Sequence, residues 1–145
     1  TDEVANLKVG DVLFISDVFG AIEYKGPGYF IAGGAGITPF IAIFRQLKKD
    51  GKLDGNKLFF SNKTAADVIL EDELREMLGE NAYFTLTREN KEGYEHGHID
   101  EAYLKSHVDD FSKNFYVCGT PEMTEKINKK LEELGAKTES LVFEG

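Results

Sequence analysis

Two short stretches carry residue types suited to holding a phosphate group. Gly33-Gly34-Ala35-Gly36-Ile37-Thr38-Pro39 follows an apolar run and reads G-x-G-x-x-P, a variant of the dinucleotide fingerprint. Glycines permit a tight turn and leave backbone N–H groups bare to an approaching pyrophosphate. Thr38 is placed to cap a helix whose first turn takes Pro39, and the helix N-terminus offers positive potential to an anion. The second stretch, Tyr116-Val117-Cys118-Gly119-Thr120-Pro121-Glu122-Met123, repeats the plan: strand, glycine, threonine, proline, helix. Cys118 falls at the tip of the strand, where it either faces a crevice or packs as a small apolar residue. No histidine or other base is near it in sequence, which argues against a nucleophile.

The elements that must position these loops follow from hydrophobic spacing. Gly28–Ala32, Lys57–Ser61, Tyr83–Thr87, Asn114–Gly119 and Leu141–Phe143 read as five short buried strands. Between them lie helical patterns. One is Pro39–Asp50, with Phe40, Ile43, Phe44 and Leu47 on one stripe; a second carries Leu70, Leu74, Met77 and Leu78 and stops at Gly79. A third spans Asp100–Val108, and a fourth carries Met123, Ile127, Leu131 and Leu134 and closes at Gly135. Strands apolar on both faces alternating with amphipathic helices predict an α/β fold with a five-stranded doubly wound parallel sheet. In that fold the first and fourth strands are neighbours with crossovers on opposite faces, and ligands bind in the crevice between their carboxyl ends. Asp11–Ser16 and Ala21–Tyr24 differ, reading as a short antiparallel β segment around Phe19-Gly20 at the N-terminus.

Composition limits the partners. With 26 acidic against 17 basic residues, the net charge of −9 argues against nucleic acid and anionic membrane surfaces. The single cysteine excludes an intrachain disulfide and points to a reducing cytoplasm. No apolar run approaches the roughly 20 residues that span a bilayer, so membrane insertion is not expected. His96 and His98 are two apart without a third ligand cluster, so no metal site is expected. Glu71-Asp72-Glu73 reads as a solvated acidic helix start, and Lys48, Lys49 and Lys52 as partners of a helix C-terminus. Phe19 and Tyr24 read as core-packing aromatics rather than ligand-stacking ones.

Ala32–Phe40 (AGGAGITPF), Phe60–Leu74 (FSNKTAADVILEDEL) and Tyr116–Met123 (YVCGTPEM) together resemble, in order and spacing, the signature blocks of the ferredoxin-NADP reductase superfamily. Leu7–Tyr24 resembles the last strands of the flavin-binding barrel that precedes the nucleotide domain there. The resemblance implies two parts: residues 1–26 as the C-terminal fragment of a flavin-binding β-barrel, and residues 27–145 as an NAD(P)H-binding domain. It implies NAD(P)H and FAD as cofactors. Hydride would pass from the nicotinamide to the flavin, and electrons onward to a separate ferredoxin, flavodoxin or haem protein. Carried over, Gly34, Gly36, Ile37, Thr38 and Pro39 are pyrophosphate-side, with Gly33 and Ala35 completing that loop. Cys118, Gly119, Thr120, Pro121 and Met123 are nicotinamide-side with Glu122, and Cys118 orients the ring without bonding to it. Ser61, Asn62, Lys63 and Thr64 stand where the family reads the adenosine ribose, followed by Asp67. Glu144 corresponds to an acid that some relatives place near the nicotinamide, which makes Cys118 and Glu144 the candidate catalytic pair.

Departures from the family pattern accompany these matches. The arginine-x-tyrosine-serine/threonine flavin motif and the flavin diphosphate motif have no match, and the stretch before Leu7 is too short to hold them. His98 stands where many relatives carry arginine. No C-x4-C-x2-C spacing for an iron–sulfur centre is present. Alternative readings are therefore a truncated, non-catalytic nucleotide-binding module lacking its own flavin, and a receiver- or flavodoxin-like regulatory domain. The last requires an acidic cluster at the strand ends or an FMN phosphate loop, and neither is present. The residue set leaves oligomeric state open.

Overall fold

The structure, a computed structural model, describes residues 14–15, 22–24, 26–136 and 138–140. Two-residue strands β1 (Phe14–Ile15) and β2 (Ile22–Glu23) pair antiparallel, within the segment expected to have that character. From Gly28 onward the chain alternates. The order is β3 (Gly28–Gly33), α1 (Ile37–Lys49), β4 (Lys57–Asn62), α2 (Glu71–Leu78), β5 (Ala82–Leu86), β6 (Glu95–His96), α3 (Glu101–His107), β7 (Asn114–Cys118), α4 (Pro121–Glu133) and β8 (Thr138–Ser140). The sheet runs β6-β5-β4-β3-β7-β8 with every pairing parallel. It is the expected five-stranded sheet with a two-residue strand, β6, added at one edge. The last strand falls at Thr138–Ser140, whereas Leu141–Phe143 lies outside the described residues.

Alternation along the central strands builds two cores. In β3, Phe30 and Ala32 join α1 residues Ile37, Phe40, Phe44 and Leu47 and α2 residues Leu74 and Leu78. Tyr29 and Ile31 face the other way, to Leu104, Val108, Ile127 and Leu131 around α3 and α4. The period of two in strands and of 3.6 in helices thus gives the doubly wound arrangement. Phe30 is fully buried, stacked on Tyr116 at 4.4 Å and edge-on to Phe40 and Phe44 at 5.0 and 4.7 Å. Burying such a ring contributes about 2–3 kcal/mol, and each favourable ring pair about 1 more.

Helix ends follow their local chemistry. Asp100 caps α3 by accepting from the Tyr103 N–H at 2.9 Å, and Gly79, at φ 57°, ends α2 in the left-handed region. The expectation for Thr38 is corrected: α1 begins at Ile37, and Thr38 lies inside its first turn, exposed. A 3₁₀ turn, Gly34–Gly36, runs into the helix with Gly36 already at φ −63°, ψ −10°. No extended residue stands at the cap position, and no side chain caps α1. On the N-terminal side, buried Asn56 accepts from the Gly28 N–H at 3.1 Å, donates to the Leu53 carbonyl at 3.1 Å and meets the Tyr24 hydroxyl. Tyr24 stacks on Tyr116, whose hydroxyl donates to the Gly26 carbonyl, so this segment is fastened to the sheet.

Candidate functional site

The strand order turns at β3 and β7, whose onward connections, α1 and α4, lie on opposite faces of the sheet. At their carboxyl ends opens a cleft of about 460 Å³, within the usual range of ligand sites. Its lining comes from the two glycine loops (Gly33, Gly34, Gly36, Gly119, Thr120, Met123), the end of β4 (Ser61, Asn62, Lys63), Asp67 and two residues that sequence reasoning missed, Ile69 and Thr87.

The loop glycines answer three different demands. Gly34, at φ 55°, is left-handed with open space where a side chain would stand. A Cβ on Gly33 would collide with the Met123 thioether. At Gly36 it would strike the backbone of the opposite strand, 2.6 Å from the Cys118 carbonyl carbon and 2.9 Å from Gly119 Cα, with the Cys118 carbonyl oxygen nearer still. Gly36 thus lets the first turn of α1 rest directly on the tip of β7, so the two lips of the crevice form one surface.

Electrostatics favour an anion there. With no side-chain cap, the N-terminus of α1 has donors with no intrahelical partner, and the macrodipole adds positive potential. On the opposite lip, Thr120 caps α4 through its hydroxyl, which accepts from the Met123 N–H at 3.2 Å, with Pro121 in the first turn. Asn62 is 6% exposed, yet its Nδ2 has no hydrogen-bond partner although it lines the cleft. An orphaned buried donor costs about 1–3 kcal/mol, so a ligand oxygen or ring nitrogen in the cleft would be stabilising. Bare glycine backbone, an uncapped helix start and a waiting donor fit a dinucleotide's phosphates and sugar.

The 3₁₀ turn Ala65–Asp67 brings Asp67 back to the cleft, where its carboxylate accepts from the Thr64 N–H at 3.2 Å and from the Thr64 hydroxyl at 3.0 Å. Ile69 is 41% exposed in the cleft wall, and its neighbour Leu70, 43% exposed, is held at a left-handed φ of 55°.

Several expected site residues are not part of the lining. Ile37 and Pro39 are buried under the loop, Ala35 belongs to its 3₁₀ turn, and Pro121 and Glu122 open α4 with their side chains outside the lining. Thr64 reaches the cleft through Asp67, and Glu144 lies outside the described residues. Cys118 is fully buried beside Ala32, Ile37 and Tyr116 and is absent from the cleft lining, so of the two orientations open to it the packed one is adopted. Burial also pushes its thiol up from 9.0 to about 11. In consequence, thiol reagents at pH 8 should label native Cys118 at least about tenfold more slowly than the urea-unfolded chain, because both access and thiolate fraction fall. Equal rates would show the thiol open to solvent.

Among the described residues, no helix is long and apolar enough to cross a membrane, and no group of three or more His, Cys, Asp or Glu side chains is arranged to hold a metal ion.

The profile of the oxidoreductase NAD-binding domain matches residues 30–129, which hold both glycine loops and all the sheet strands from β4 to β7. The chain belongs to that family. It is 28% identical over 160 residues to a nitrate reductase [NAD(P)H] from Betula pendula, covering 93% of this chain and 18% of that protein. It is 30% identical over 154 residues to a polypeptide of the Na(+)-translocating NADH-quinone reductase of Actinobacillus succinogenes, covering 96% of this chain and 38% of that polypeptide. The chain thus spans well under half the length of these curated relatives. Among solved structures, the flavohem-like FAD/NAD binding domain of a Vibrio cholerae nitric oxide dioxygenase superposes with a TM-score of 0.72 at 22% identity, covering 92% of this chain and 55% of that one. The cytochrome b5 reductase domain of Ulva prolifera nitrate reductase gives 0.69 at 23%, covering 84% and 55%. These two likenesses establish the ferredoxin-reductase-like fold of this NAD-binding domain.

Proposed function

We propose that this chain is the NAD(P)H-binding part of a flavin-dependent oxidoreductase that passes electrons to a separate acceptor such as a ferredoxin, flavodoxin or haem protein. In this reading residues 1–26 belong to the flavin-binding barrel and residues 27–145 bind the nucleotide, in a reducing cytoplasm. The observation that carries it is the glycine-lined cleft at the switch point, with the uncapped start of α1 on one lip, the start of α4 on the other, and Asn62, whose amide is orphaned, in the lining at the end of β4. When bound, the nicotinamide supplies hydride and the flavin accepts it. The chain's own residues bind and orient. Backbone N–H groups of Gly34–Ile37 hold the pyrophosphate, the Asn62 amide and the Asp67 carboxylate take the sugar end, and Gly119, Thr120 and Met123 bound the nicotinamide end. Cys118 acts behind this surface, since its carbonyl supports Gly36 and its packed side chain sets the height of β7's tip under the ring. Glu144 is assigned to the same end.

Titration of the chain with NADH and NADPH tests the reading. The chain has no tryptophan, so the nicotinamide's own emission reports binding without protein background. Saturable binding of at least one nucleotide, competed by ADP-ribose, is expected. Absence of saturation for both would overturn the assignment.

A further inference from the structure

Three side chains in this protein carry sulfur: Met77, Cys118 and Met123. Their surroundings differ. Cys118 is fully buried in the α1-side core, and burial holds its thiol protonated well above neutral pH. Met77, on α2, is partly buried and packs against that same core. Met123 alone opens on the cleft. It sits in the first turn of α4, fixed there by its N–H bond to the Thr120 hydroxyl. Its Sδ lies against two bare backbones, at the end of β3 and just past β7. A Cβ on Gly119 would come within 2.9 Å of that sulfur, and one on Gly33 would overlap it. The thioether therefore fills the gap between the two glycine loops and forms part of the floor on which a bound nucleotide would lie.

From this placement we infer that Met123 is an oxidation switch: conversion to the sulfoxide by a peroxide closes the cleft to nucleotide, and reduction reopens it. The inference rests on the nucleotide-binding reading above and adds regulation to it. The chemistry balances. A sulfur lone pair attacks one peroxide oxygen, an S–O bond forms as the O–O bond breaks, the sulfur loses two electrons and the peroxide leaves as water. A dithiol-dependent sulfoxide reductase reverses the step by returning two electrons. Geometry supplies the consequence. With Gly33 and Gly119 pressed on the sulfur and the side chain packed on the core between α3 and α4, the new oxygen is directed toward the cleft. There it places a strong acceptor where the nicotinamide-side ribose and the adjoining phosphate oxygens must approach. Two acceptors facing each other repel, and the stiffer, polar side chain no longer packs flat between the loops.

The test compares each protein with its own untreated form. The full chain is treated with dilute hydrogen peroxide, sulfoxide formation at Met77 and Met123 is quantified by peptide mass, and NADH and ADP-ribose affinities are measured before and after. Affinity is expected to fall at least about tenfold in step with Met123 oxidation and to return after methionine sulfoxide reductase treatment. Met77→Leu should show the same loss, and Met123→Leu should show none. Unchanged affinity in a protein whose Met123 is fully converted overturns the inference and leaves the nucleotide site standing. Equal loss in Met123→Leu places the sensitivity elsewhere and overturns it as well. If the untreated chain binds neither ligand, the nucleotide reading itself fails and this regulation fails with it.

Discussion

Replacing Gly36 by valine is expected to destabilise the fold and abolish nucleotide binding together. The residue has ordinary helical angles, so its backbone alone would accept any side chain. What it lacks is room: the first atom of a side chain meets the carbonyl group of Cys118 and the Cα of Gly119. Both obstacles are backbone at the end of a central strand, which cannot rotate away as a side chain can. Overpacking a close contact of this kind costs about 1–3 kcal/mol, and a branched side chain against backbone belongs at the upper end. Separating the lips also disperses the N–H groups that would hold a pyrophosphate. Gly34→Ala is the informative contrast. Its Cβ meets nothing, and the cost is the left-handed backbone, about 1 kcal/mol. Urea midpoints and NADH titrations on the three proteins decide the matter. Wild-type stability in Gly36→Val would show that the two loops do not touch.

The second expected result concerns the choice between nicotinamide nucleotides. Neutralising Asp67 as Asp67→Asn is expected to raise NADPH affinity relative to NADH by about tenfold, or 1.4 kcal/mol. A carboxylate in the cleft wall accepts a hydrogen bond from a ribose 2′-hydroxyl and repels a 2′-phosphate, whereas Lys63 on the same wall attracts one as a point charge. On the proposed reading the two charges would oppose each other in the native protein, so modest discrimination leaning to NADH is the expected result. The amide keeps an oxygen to accept from Thr64, so the turn that holds it should persist. Dissociation constants for both nucleotides at fixed ionic strength measure the effect. An unchanged ratio would remove Asp67 from the sugar site.

How much of this could be read from the chain depends on whether each property is local. The two loops announce themselves because glycine, threonine and proline act on their own backbone. Strand and helix stripes follow from periodicity, and boundaries moved by only a residue or two, as with α1, except at the last strand, which falls at Thr138–Ser140, ahead of the expected Leu141–Phe143. Thr38 failed as a cap because a 3₁₀ turn precedes it, and nothing local signals that turn. Asp67 is named through the family resemblance alone, because the 3₁₀ turn that folds it back to the cleft has no local signal of its own. Thr87 was legible in principle, since it follows a strand whose carboxyl end belongs to the crevice, but Ile69 depends on the unusual left-handed Leu70. The packing of Cys118 depends on which face of β7 meets α1, a tertiary fact beyond its own neighbours.

One sheet border bears on behaviour at high concentration. An open strand edge is a template for a second chain, and long flat apolar edges promote aggregation. Beside β5 the sheet ends in β6, two residues long, and both carry ionisable side chains, Glu95 and His96. Glu95 accepts from the Tyr103 hydroxyl at 2.7 Å and contacts the His107 ring at 2.7 Å, while His96 engages the Glu89 carbonyl at 2.9 Å. A visiting strand would find only two residues to pair with, and would have to strip water from polar groups already engaged with their own chain. The border thus guards against edge-to-edge association by being too short and too polar to extend.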